Sequence, residues 1–399
     1  MPAIEELRIR RILDSRGNAT VEVDVRAGGV VGRAAAPSGA STGTHEVAAW
    51  PKGGVDEGVR IFRKEIAAKL KGQDATDQEA VDSALHGIDG TVNFARIGGN
   101  VSTATSLAVA KAAAAASRKP LFAYLSPNRS FPFPLGNVIG GGRHAIGGTD
   151  IQEFHSLALS PSPAASVFAN AAVHKAVAAM LVKKLPGEAI GRGDEGAWVA
   201  KLGNEEALAV LVDACRQTSK DVGFTCAPAL DLAASEFYRQ GKYVYKDRTL
   251  TPDRQVEYVA GLVESYGLAL VEDPLQEEDF AGFARLTELV GDSTVIVGDD
   301  LFCTDPTRLQ KGIDMAAGNA ILIKPNQIGT LTDTRATVAL AAKAGYKTVV
   351  SHRSGETTDD AIAHLAVAFG SYAIKTGAVG GERIAKLNEL IRIEECIGG

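Results

Sequence analysis

The sequence has few cysteines, and no two of them have the spacing of a metal or redox motif. Cys215, Cys226, Cys303 and Cys396 are scattered among 399 residues without a CxxC pair. This pattern disfavours a disulfide framework or a zinc site and favours the reduced thiols of a cytoplasmic protein. We expect the cysteines to be small side chains that fill the core.

Long apolar runs and an excess of positive charge are also missing. No stretch reaches the ~18 uninterrupted apolar residues typical of a membrane-spanning helix, and the first residues show no basic segment followed by an apolar one. The formal net charge of −6 argues against a nucleic-acid or anionic-membrane partner, because both require a basic surface. We therefore expect a cytoplasmic protein that binds any phosphate in a local pocket.

The length predicts two domains, since 399 residues match a barrel of ~250 residues with a smaller partner. Short β-branched runs in the first forty residues predict a β-meander, and apolar spacing from about residue 56 to 118 predicts helices. Residues 126–137, SPNRSFPFPLGN, contain three prolines and predict an extended connection. We predict an α+β domain over residues 1–128 and a second domain over 129–399.

In the second domain, short apolar runs alternate with helical stretches, which is typical of parallel βα units. A polar residue follows each of these runs. In a closed α/β barrel the carboxyl ends of the strands form the active-site rim. We therefore predict a TIM-like α/β barrel. The residues expected at its rim are Asp231, Glu272, Asp299, Lys324, His352 and Lys375.

Three rim residues, Asp231, Glu272 and Asp299, are acids. If their strands are neighbours, their oxygen atoms converge, and hard oxygen ligands suit magnesium. Alternatively, each acid caps a following helix or pairs with a nearby basic residue. A metal site is favoured, because like charges that converge without a cation raise each other's pKa.

Two rim residues, Lys324 and Lys375, are lysines that follow the apolar runs AILI and YAI. Both ammonium groups are expected in a partly desolvated rim. Desolvation can lower the pKa of a lysine and make it a base. The alternative is a pair of ordinary lysines that form ion pairs with the acids.

The turn of residues 352–356, HRSGE, follows the predicted strand KTVVS. An arginine fork, a hydroxyl and a helix N-terminus at such a turn favour phosphate binding; an N-capped turn is the alternative. Two small-residue loops, 37–43 and 140–148, could close over a ligand. Alone, both are ordinary loops, and His144 in the second would more often be structural.

Two further acids, Glu153 and Glu195, lie in the segments QEF and GDEG. Paired carboxylates can share a proton and so provide a general acid. The alternative is that both are surface acids at turns, and spacing alone does not decide between the two.

The motifs form an ordered set that covers nearly the whole chain, and on them the sequence is identified as a member of the enolase family. The matching segments are SRGNATVEVDV (15–25), APSGASTG (36–43), GGGRHA (140–145), QEF (152–154), GDEG (193–196), LDLAASEFY (230–238), VEDP (271–274), GDDL (298–301), IKPNQIGT (323–330), SHRSGET (351–357), IKTGA (374–378) and GERIAKLNELIRIEE (381–395).

The resemblance implies an N-terminal α+β domain that closes over an enolase-type barrel, whose first strands depart from simple βα alternation. It implies a homodimer or homo-octamer. It also implies a cytoplasmic, glycolytic hydro-lyase that interconverts 2-phosphoglycerate and phosphoenolpyruvate with two Mg²⁺ per active site. Lys324 would remove the C2 proton, and Glu195, supported by Glu153, would help the C3 hydroxide to leave as water.

The same resemblance implies the remaining roles. Asp231, Glu272 and Asp299 would hold the first magnesium, and Ser41 would help to hold the second. Lys375 would offset the charge of the substrate carboxylate. Substrate contacts are implied for His144, Gln152, His352, Arg353 and Ser354, with Arg353 and Ser354 on the phosphate.

The sequence also departs from the family pattern at the edges of the site. Ala197-Trp198 follows GDEG where a glycine is expected, Pro325 follows Lys324, and Ile146 replaces a glycine of the second loop. Val379-Gly380-Gly381 lacks an arginine that is common there, and the segment after Glu46, VAAWPKGG, is shortened. No proposed chemical residue is lost, but we expect these changes to crowd the site.

Two alternative functions therefore stay open. One is an enzyme of phosphonate or phosphinate biosynthesis resembling carboxyphosphonoenolpyruvate synthase. A cavity for a second substrate beside Ile146, Ala197 and Trp198 would favour it. The other is a non-catalytic structural or binding protein, which the retained Lys324 and the acids disfavour.

Overall fold

The computed structural model describes residues 1–40 and 43–398. The chain opens with an antiparallel meander of β1 (Ile4–Leu13), β2 (Ala19–Ala27) and β3 (Val30–Ala35). Leu13 pairs with Ala19 at the first turn, and Ala27 pairs with Val30 at the second. The predicted β-meander is confirmed.

Helices follow the meander, as predicted. They are α1 (Gly54–Ile61), a π-helical turn (Phe62–Ile66), α2 (Ala67–Leu70), α3 (Gln78–Asp89), α4 (Gly99–Ala116) and α5 (Leu121–Leu125). The alanine-rich α4 is buried along most of its length and packs on β2 and β3. A Cβ atom at Gly32 of β3 would lie 2.2 Å from the Ala108 carbonyl oxygen of α4, so this close approach requires glycine.

The second part of the chain forms a closed barrel. Its strands are β4 (Phe133–Gly140), β5 (Glu153–Ala158), β6 (Gly191–Arg192), β7 (Trp198–Val199), β8 (Cys226–Asp231), β9 (Tyr238–Arg239), β10 (Lys242–Val244), β11 (Thr249–Leu250), β12 (Leu270–Glu272), β13 (Val295–Gly298), β14 (Ala320–Ile323), β15 (Lys347–Ser351) and β16 (Ala373–Lys375). Eight of them form the barrel in the order β4, β5, β8, β12, β13, β14, β15, β16, and β16 pairs with β4. β5 is antiparallel to both neighbours and the other pairs are parallel. The TIM-like barrel with irregular first strands is confirmed.

Most helices of this part cover the outside of the barrel. They are α6 (Pro163–Lys184), α7 (Asn204–Val222), α8 (Pro252–Tyr266), α9 (Phe280–Val290), α10 (Pro306–Met315), α11 (Pro325–Ile328), α12 (Leu331–Lys343), α13 (Ala361–Ala368) and α14 (Gly381–Gly398), with 3-10 turns at Gly142–His144 and Ala234–Phe237. Among the described helices, α6 alone is long and apolar enough to span a membrane. It packs against α7, α14 and β4. Because a helix on the outside of a barrel can be equally long and apolar, the length and composition of α6 are only weak evidence for a membrane span.

The connection predicted to be irregular over residues 126–137 differs from the structure at its end, because β4 begins at Phe133. Pro134 lies inside this strand. Pro134 pairs with Ile374 of β16, but the neighbouring Phe133 N–H makes the bond to β16, at the Tyr372 carbonyl oxygen. On the other side the pairing of β4 with β5 begins only at Leu135, so neither ladder requires the N–H that Pro134 lacks.

The two parts meet beside the carboxyl end of the barrel. Ser38 and Gly355 exchange two backbone hydrogen bonds of 2.7 and 2.8 Å, and the Lys111 ammonium on α4 donates to both carboxylate oxygens of Asp359 at 3.0 Å. A Cβ atom at Gly355 would lie 2.6 Å from the Asp14 carboxylate. The small residues of the predicted loops therefore permit close contact at the site.

Candidate active site

The predicted acids lie on adjacent strands at the carboxyl end of the barrel. Glu153 on β5, Asp231 on β8 and Glu272 on β12 are directly side by side in register. Asp299 immediately follows the next strand, β13. None of the four caps a described helix with its side chain, so helix capping by the acids is wrong, whereas their pairing with basic residues is observed.

Both predicted lysines lie among these acids. The Lys375 Nζ atom lies 2.9 Å from Asp231 Oδ2, 2.8 Å from Glu272 Oε2 and 3.3 Å from Glu153 Oε1. The Lys324 ammonium donates to Asp299. The predicted ion-pair alternative therefore describes the contacts of this structure, in which each lysine compensates buried carboxylates.

The pKa values of both lysines are shifted in the direction opposite to that expected from desolvation alone. Burial alone would lower the pKa of Lys324 and Lys375, but the surrounding carboxylates outweigh it and raise both pKa values. The acids respond in opposite directions. Burial and the charge of Asp231 raise the pKa of Glu272 to about 8, whereas the charge of Lys375 overcomes burial and lowers the pKa of Asp231 to about 2.

Glu153 also forms a buried pair with Glu195. Their carboxylate oxygens and a ring nitrogen of His144 lie within 4.8 Å of one another. Both acids are almost fully buried, so the surface-acid alternative is wrong. Burial and the negative charge of Glu195 raise the pKa of Glu153 well above its ordinary value. The pair therefore favours holding one proton, on Glu153.

The tautomer of His352 follows from its neighbours. Arg383, fully buried on α14, places Nη1 3.0 Å from His352 Nδ1. Because a guanidinium only donates, Nδ1 accepts and the ring proton lies on Nε2. Nε2 faces Glu195 Oε1 at 3.2 Å. Burial lowers the pKa of His352 to about 3, so the ring is neutral.

Arg353 and Ser354 follow β15 in the predicted turn. The Ser354 hydroxyl accepts a hydrogen bond of 2.6 Å from the Ala40 backbone N–H, and the Arg353 guanidinium contacts Glu46 and Asn326. The predicted helix N-terminus is absent from the turn, because α13 begins only at Ala361. The extended backbone contact between Ser38 and Gly355 occupies this stretch instead.

The predicted residues surround one buried cavity. Gln152 also faces it, and the Gln152 Oε1 atom has no hydrogen-bond partner among the described residues. Glu272 is not among the residues that line the cavity, and Ser41 lies outside the described residues. The lining residues are Gly39, His144, Gln152, Glu153, Glu195, Asp231, Asp299, Lys324, Ser351, His352, Arg353, Ser354 and Lys375.

Several supporting residues were missed in the sequence. The Asp273 carboxylate accepts the backbone N–H groups of Asp299 and Asp300, both at 2.9 Å, and its φ of 39° is strained for a non-glycine residue. Gln327 donates to Asp299 at 2.9 Å. The sequence did offer a signal for Asp273, because it is a second acid directly after Glu272 in VEDP. For Gln327 the only signal was its position three residues after Lys324.

A second missed feature is His155, which is fully buried on β5. Its Nε2 atom lies 3.3 Å from Glu153 Oε2, and burial lowers its pKa to about 3. Residues 153 and 155 face the same side of a strand. This alternation could have indicated from the sequence that His155 lies beside Glu153.

The departures from the family pattern do not crowd the cavity as expected. The Ile146 side chain is fully exposed. Pro325 occupies the first turn of α11, where its missing N–H is tolerated. The Trp198 indole N–H donates to the His174 backbone carbonyl oxygen at 2.9 Å, and the indole stacks on the His174 imidazole ring. None of these three side chains lines the cavity.

A second cavity of about 430 Å³ lies beside Ile146 and shares the lining residue His144 with the first cavity. Arg16, Arg143 and Arg192 line it, but Ala197 and Trp198 do not. It therefore differs from the cavity whose presence would have favoured a second substrate.

Fold and site together define a class of enzyme. A closed α/β barrel carries buried acids and lysines at its carboxyl end, beneath loops from a smaller α+β part. This arrangement can bind a cation with oxygen ligands and can move protons on either side of a small anionic substrate.

Comparisons with known proteins name the family. Residues 4–125 match the family model "Enolase, N-terminal domain", and residues 128–399 match "Enolase, C-terminal TIM barrel domain". Enolase from Methanothermobacter thermautotrophicus is 54% identical over 99% of this chain and 97% of its own length. Enolase from Natronomonas pharaonis is 53% identical over 99% of both chains, and that from Thermoplasma acidophilum is 48% identical over 99% of this chain and 98% of its own length.

The chain therefore belongs to the enolase family. It is a lyase with enolase activity, as predicted, and the comparisons do not favour the phosphonate-pathway alternative.

Proposed function

We propose that the enzyme interconverts 2-phosphoglycerate with phosphoenolpyruvate and water, with Lys324 as the base and the Glu153–Glu195 pair as the acid. The position of the two groups in the barrel supports this proposal. Lys324 follows β14 and Glu153 begins β5, and these strands are four steps apart in either direction around the barrel. Base and acid therefore face opposite sides of a bound substrate, as removal of a proton and of hydroxide from opposite faces requires.

On the base side, Lys324 removes the proton from C2 of the substrate. The Lys324 side chain is only 11% exposed and its ammonium group pairs with Asp299, so the group must first lose its proton to act as a base. Gln327 donates to the other Asp299 oxygen, which fixes that carboxylate. Asp299 in turn fixes the position of the Lys324 amine.

On the acid side, the pair of Glu153 and Glu195 delivers a proton to the departing C3 hydroxide. Glu153 holds a proton in a site where burial and a second carboxylate disfavour its ionisation. The Asn137 amide, at 3.1 Å, and the His352 Nε2 atom orient Glu195. His144 and Gln152 line the same wall and contact the substrate.

The residues of the rim fit magnesium. Asp231, Glu272 and Asp299 offer hard oxygen donors from three adjacent strands, and in the described chain they form ion pairs with Lys324 and Lys375. Bound Mg²⁺ would supply positive charge that offsets the charge developing on the substrate carboxylate. A second Mg²⁺, with Ser41 as a ligand, is part of this proposal, and Lys375 adds positive charge beside the same carboxylate.

A second group of acids is a weaker candidate for the metal. Oxygen atoms of Asp273, Asp299 and Asp300 lie within 4.8 Å of one another. Both Asp273 oxygens already accept backbone N–H groups, so this residue orients the turn that carries Asp299.

Arg353 and Ser354 bind the substrate phosphate. Arg353 is buried and lines the cavity, and a guanidinium fork suits phosphate oxygens. We further propose a cytoplasmic, glycolytic homodimer or homo-octamer whose domains divide at residues 128 and 129.

The experiment that tests the proposal follows the ultraviolet absorbance of phosphoenolpyruvate when purified protein meets 2-phosphoglycerate and magnesium. Turnover that a chelator abolishes and added magnesium restores is the expected result. Exchange of the C2 proton with deuterated solvent tests the base separately. A folded protein that gives neither turnover nor exchange would contradict the proposed chemistry.

A further inference from the structure

Arg353 is held by an acid from the other part of the chain. Glu46 accepts from Arg353 Nη1 at 3.0 Å with Oε2 and from Nη2 at 2.9 Å with Oε1. The two side chains are only 2% and 9% exposed. Such a bidentate pair fixes both the position and the plane of a guanidinium. The residue proposed to bind phosphate is thus oriented by the segment before α1.

The same carboxylate is connected to the first-domain loop and to the base side of the cavity. Its Oε1 atom accepts the Gly43 backbone N–H at 3.1 Å and the Gln327 amide at 3.4 Å. Gln327 Nε2 also lies 2.9 Å from Asp299 Oδ1. Glu46 therefore joins the loop, Arg353 and the partner of Lys324 in one network.

This arrangement has an electrostatic cost for anion binding. A phosphate bound by Arg353 would lie close to the negative charge of Glu46, and two anions on one guanidinium repel each other. An arginine that served affinity alone would have no such partner. The bidentate geometry therefore serves orientation, which the reaction requires more strictly than binding does.

We propose that Glu46 is a positioning residue, which orients Arg353 for the reaction and weakens its affinity for phosphate. This inference rests on the proposed phosphate-binding role of Arg353. A residue that only stabilises the loop would behave differently, because loss of a purely structural contact would weaken phosphate binding and turnover together.

The test compares Glu46→Gln with the control Glu277→Gln. Glu277 also ties the loop to the barrel, through Thr44 N and Oγ1 at 3.0 Å, but no described contact joins it to Arg353. Calorimetry with inorganic phosphate in magnesium buffer gives the dissociation constant, and steady-state assays give kcat and KM. For Glu46→Gln we expect phosphate to bind on the order of 10-fold more tightly while kcat falls about 10- to 100-fold.

The control should leave the phosphate dissociation constant unchanged. The inference is overturned if Glu46→Gln weakens phosphate binding or leaves both quantities unchanged, or if Glu277→Gln reproduces its effects. If Glu46→Gln does not fold, Glu46→Asp decides, because it keeps the charge but is too short for both contacts. For Glu46→Asp we expect a lower kcat without tighter phosphate binding, and an unchanged kcat contradicts the inference.

The calorimetric result is independent of turnover. If the wild-type protein fails to turn over 2-phosphoglycerate, the proposed function fails, while the phosphate measurement still tests the effect of Glu46 on Arg353. If the wild type turns over but Glu46→Gln does not bind phosphate more tightly, only the present inference fails.

Discussion

Two successive layers of inward-facing side chains in the barrel differ completely in chemistry. Alternate residues of a strand face the same side, so a step of two residues leads from one layer to the next. The lower layer contains Leu135, Ala229, Leu270, Val297, Leu322, Val349 and Ala373, all buried and apolar. The upper layer contains Asn137, Asp231, Glu272, Asp299, Lys324, Ser351 and Lys375, all buried and polar or charged.

The difference separates what stabilises the barrel from what acts on a substrate. The lower layer gains free energy from burial of apolar surface. The upper layer loses free energy through desolvation of its charges, which the pairs of Lys324 with Asp299 and Lys375 with Asp231 offset only in part. The fold therefore depends on the lower layer, and the upper layer is maintained for function.

The strongest test of this comparison is Lys324→Gln in the upper layer. The amide can still donate to Asp299 but cannot act as a base, so turnover of the folded protein should fall about 10³- to 10⁴-fold. Because Asp299 also loses its buried counter-charge, the temperature of thermal unfolding should fall as well. Steady-state assays and calorimetric unfolding measure the two effects. Lys347→Gln, at the opposite end of the neighbouring strand, is the control. A rate within about tenfold of wild type would exclude Lys324 as the base.

The matching change in the lower layer is Leu322→Ala, two residues earlier on the same strand. Leu322 is fully buried in the apolar cluster, so its truncation should lower the free energy of unfolding by about 2–5 kcal/mol and leave kcat of the folded protein unchanged. Urea unfolding and assays below the transition measure this. Leu289→Ala, at an exposed leucine of α9, is the control. A large loss of kcat with unchanged stability would reverse the assignment of the layers.

The sequence could predict the layers because both leave local patterns. Short β-branched runs predicted the strands, and the residue that ends each run predicted the rim, from Asp231 to Lys375. The partners of these residues come from elsewhere in the chain. Arg383 lies on the last helix and reaches His352, and Glu46 reaches Arg353 across the two parts, so only tertiary packing reveals them.

Directions of charge effects were equally difficult to predict. Burial of Lys324 and Lys375 was foreseen, and burial alone would lower a lysine pKa. The structure gives the opposite shift, because Asp299 pairs with Lys324 and three carboxylates surround Lys375. The sign depends on distances between residues on different strands, which no local pattern contains.

A smaller effect is expected from Arg383→Lys, which changes a residue that supports the upper layer. Arg383 donates to His352 Nδ1 and to the carbonyl oxygens of Arg353 and Ser354 at 2.6 and 2.7 Å. A lysine lacks the fork needed for all three contacts, so kcat/KM should fall about 10- to 100-fold. The exposed Arg392→Lys on the same helix should have no effect.

The pH profile distinguishes positioning from simple stabilisation at this residue. Burial and the nearby Arg383 charge hold the pKa of His352 down, to about 3. In Arg383→Gln the cation is removed, so the pKa of His352 should rise and the acidic limb of the kcat/KM profile should move to higher pH. A profile that falls uniformly without shifting would indicate that Arg383 only stabilises the fold.

The smallest effect is expected far from both layers, at Glu389 on α14. A hydrogen bond from His364, 3.2 Å away, lowers the pKa of Glu389 to about 2. Because the folded-state pKa is below the unfolded value, this contribution to stability is present at neutral pH and is lost as the pH falls toward 2. Glu389→Gln should therefore lower the free energy of unfolding by about 1–2 kcal/mol at neutral pH and by less near pH 3.

Urea unfolding at both pH values measures this difference. Glu395→Gln, at an exposed acid of the same helix, is the control and should give no pH-dependent change. An effect of Glu389→Gln that is equal at both pH values would show that the ionised carboxylate is not the source of the stability. Among the tested regions, a measurable effect of buried charge would then be confined to the upper layer, where turnover depends on it.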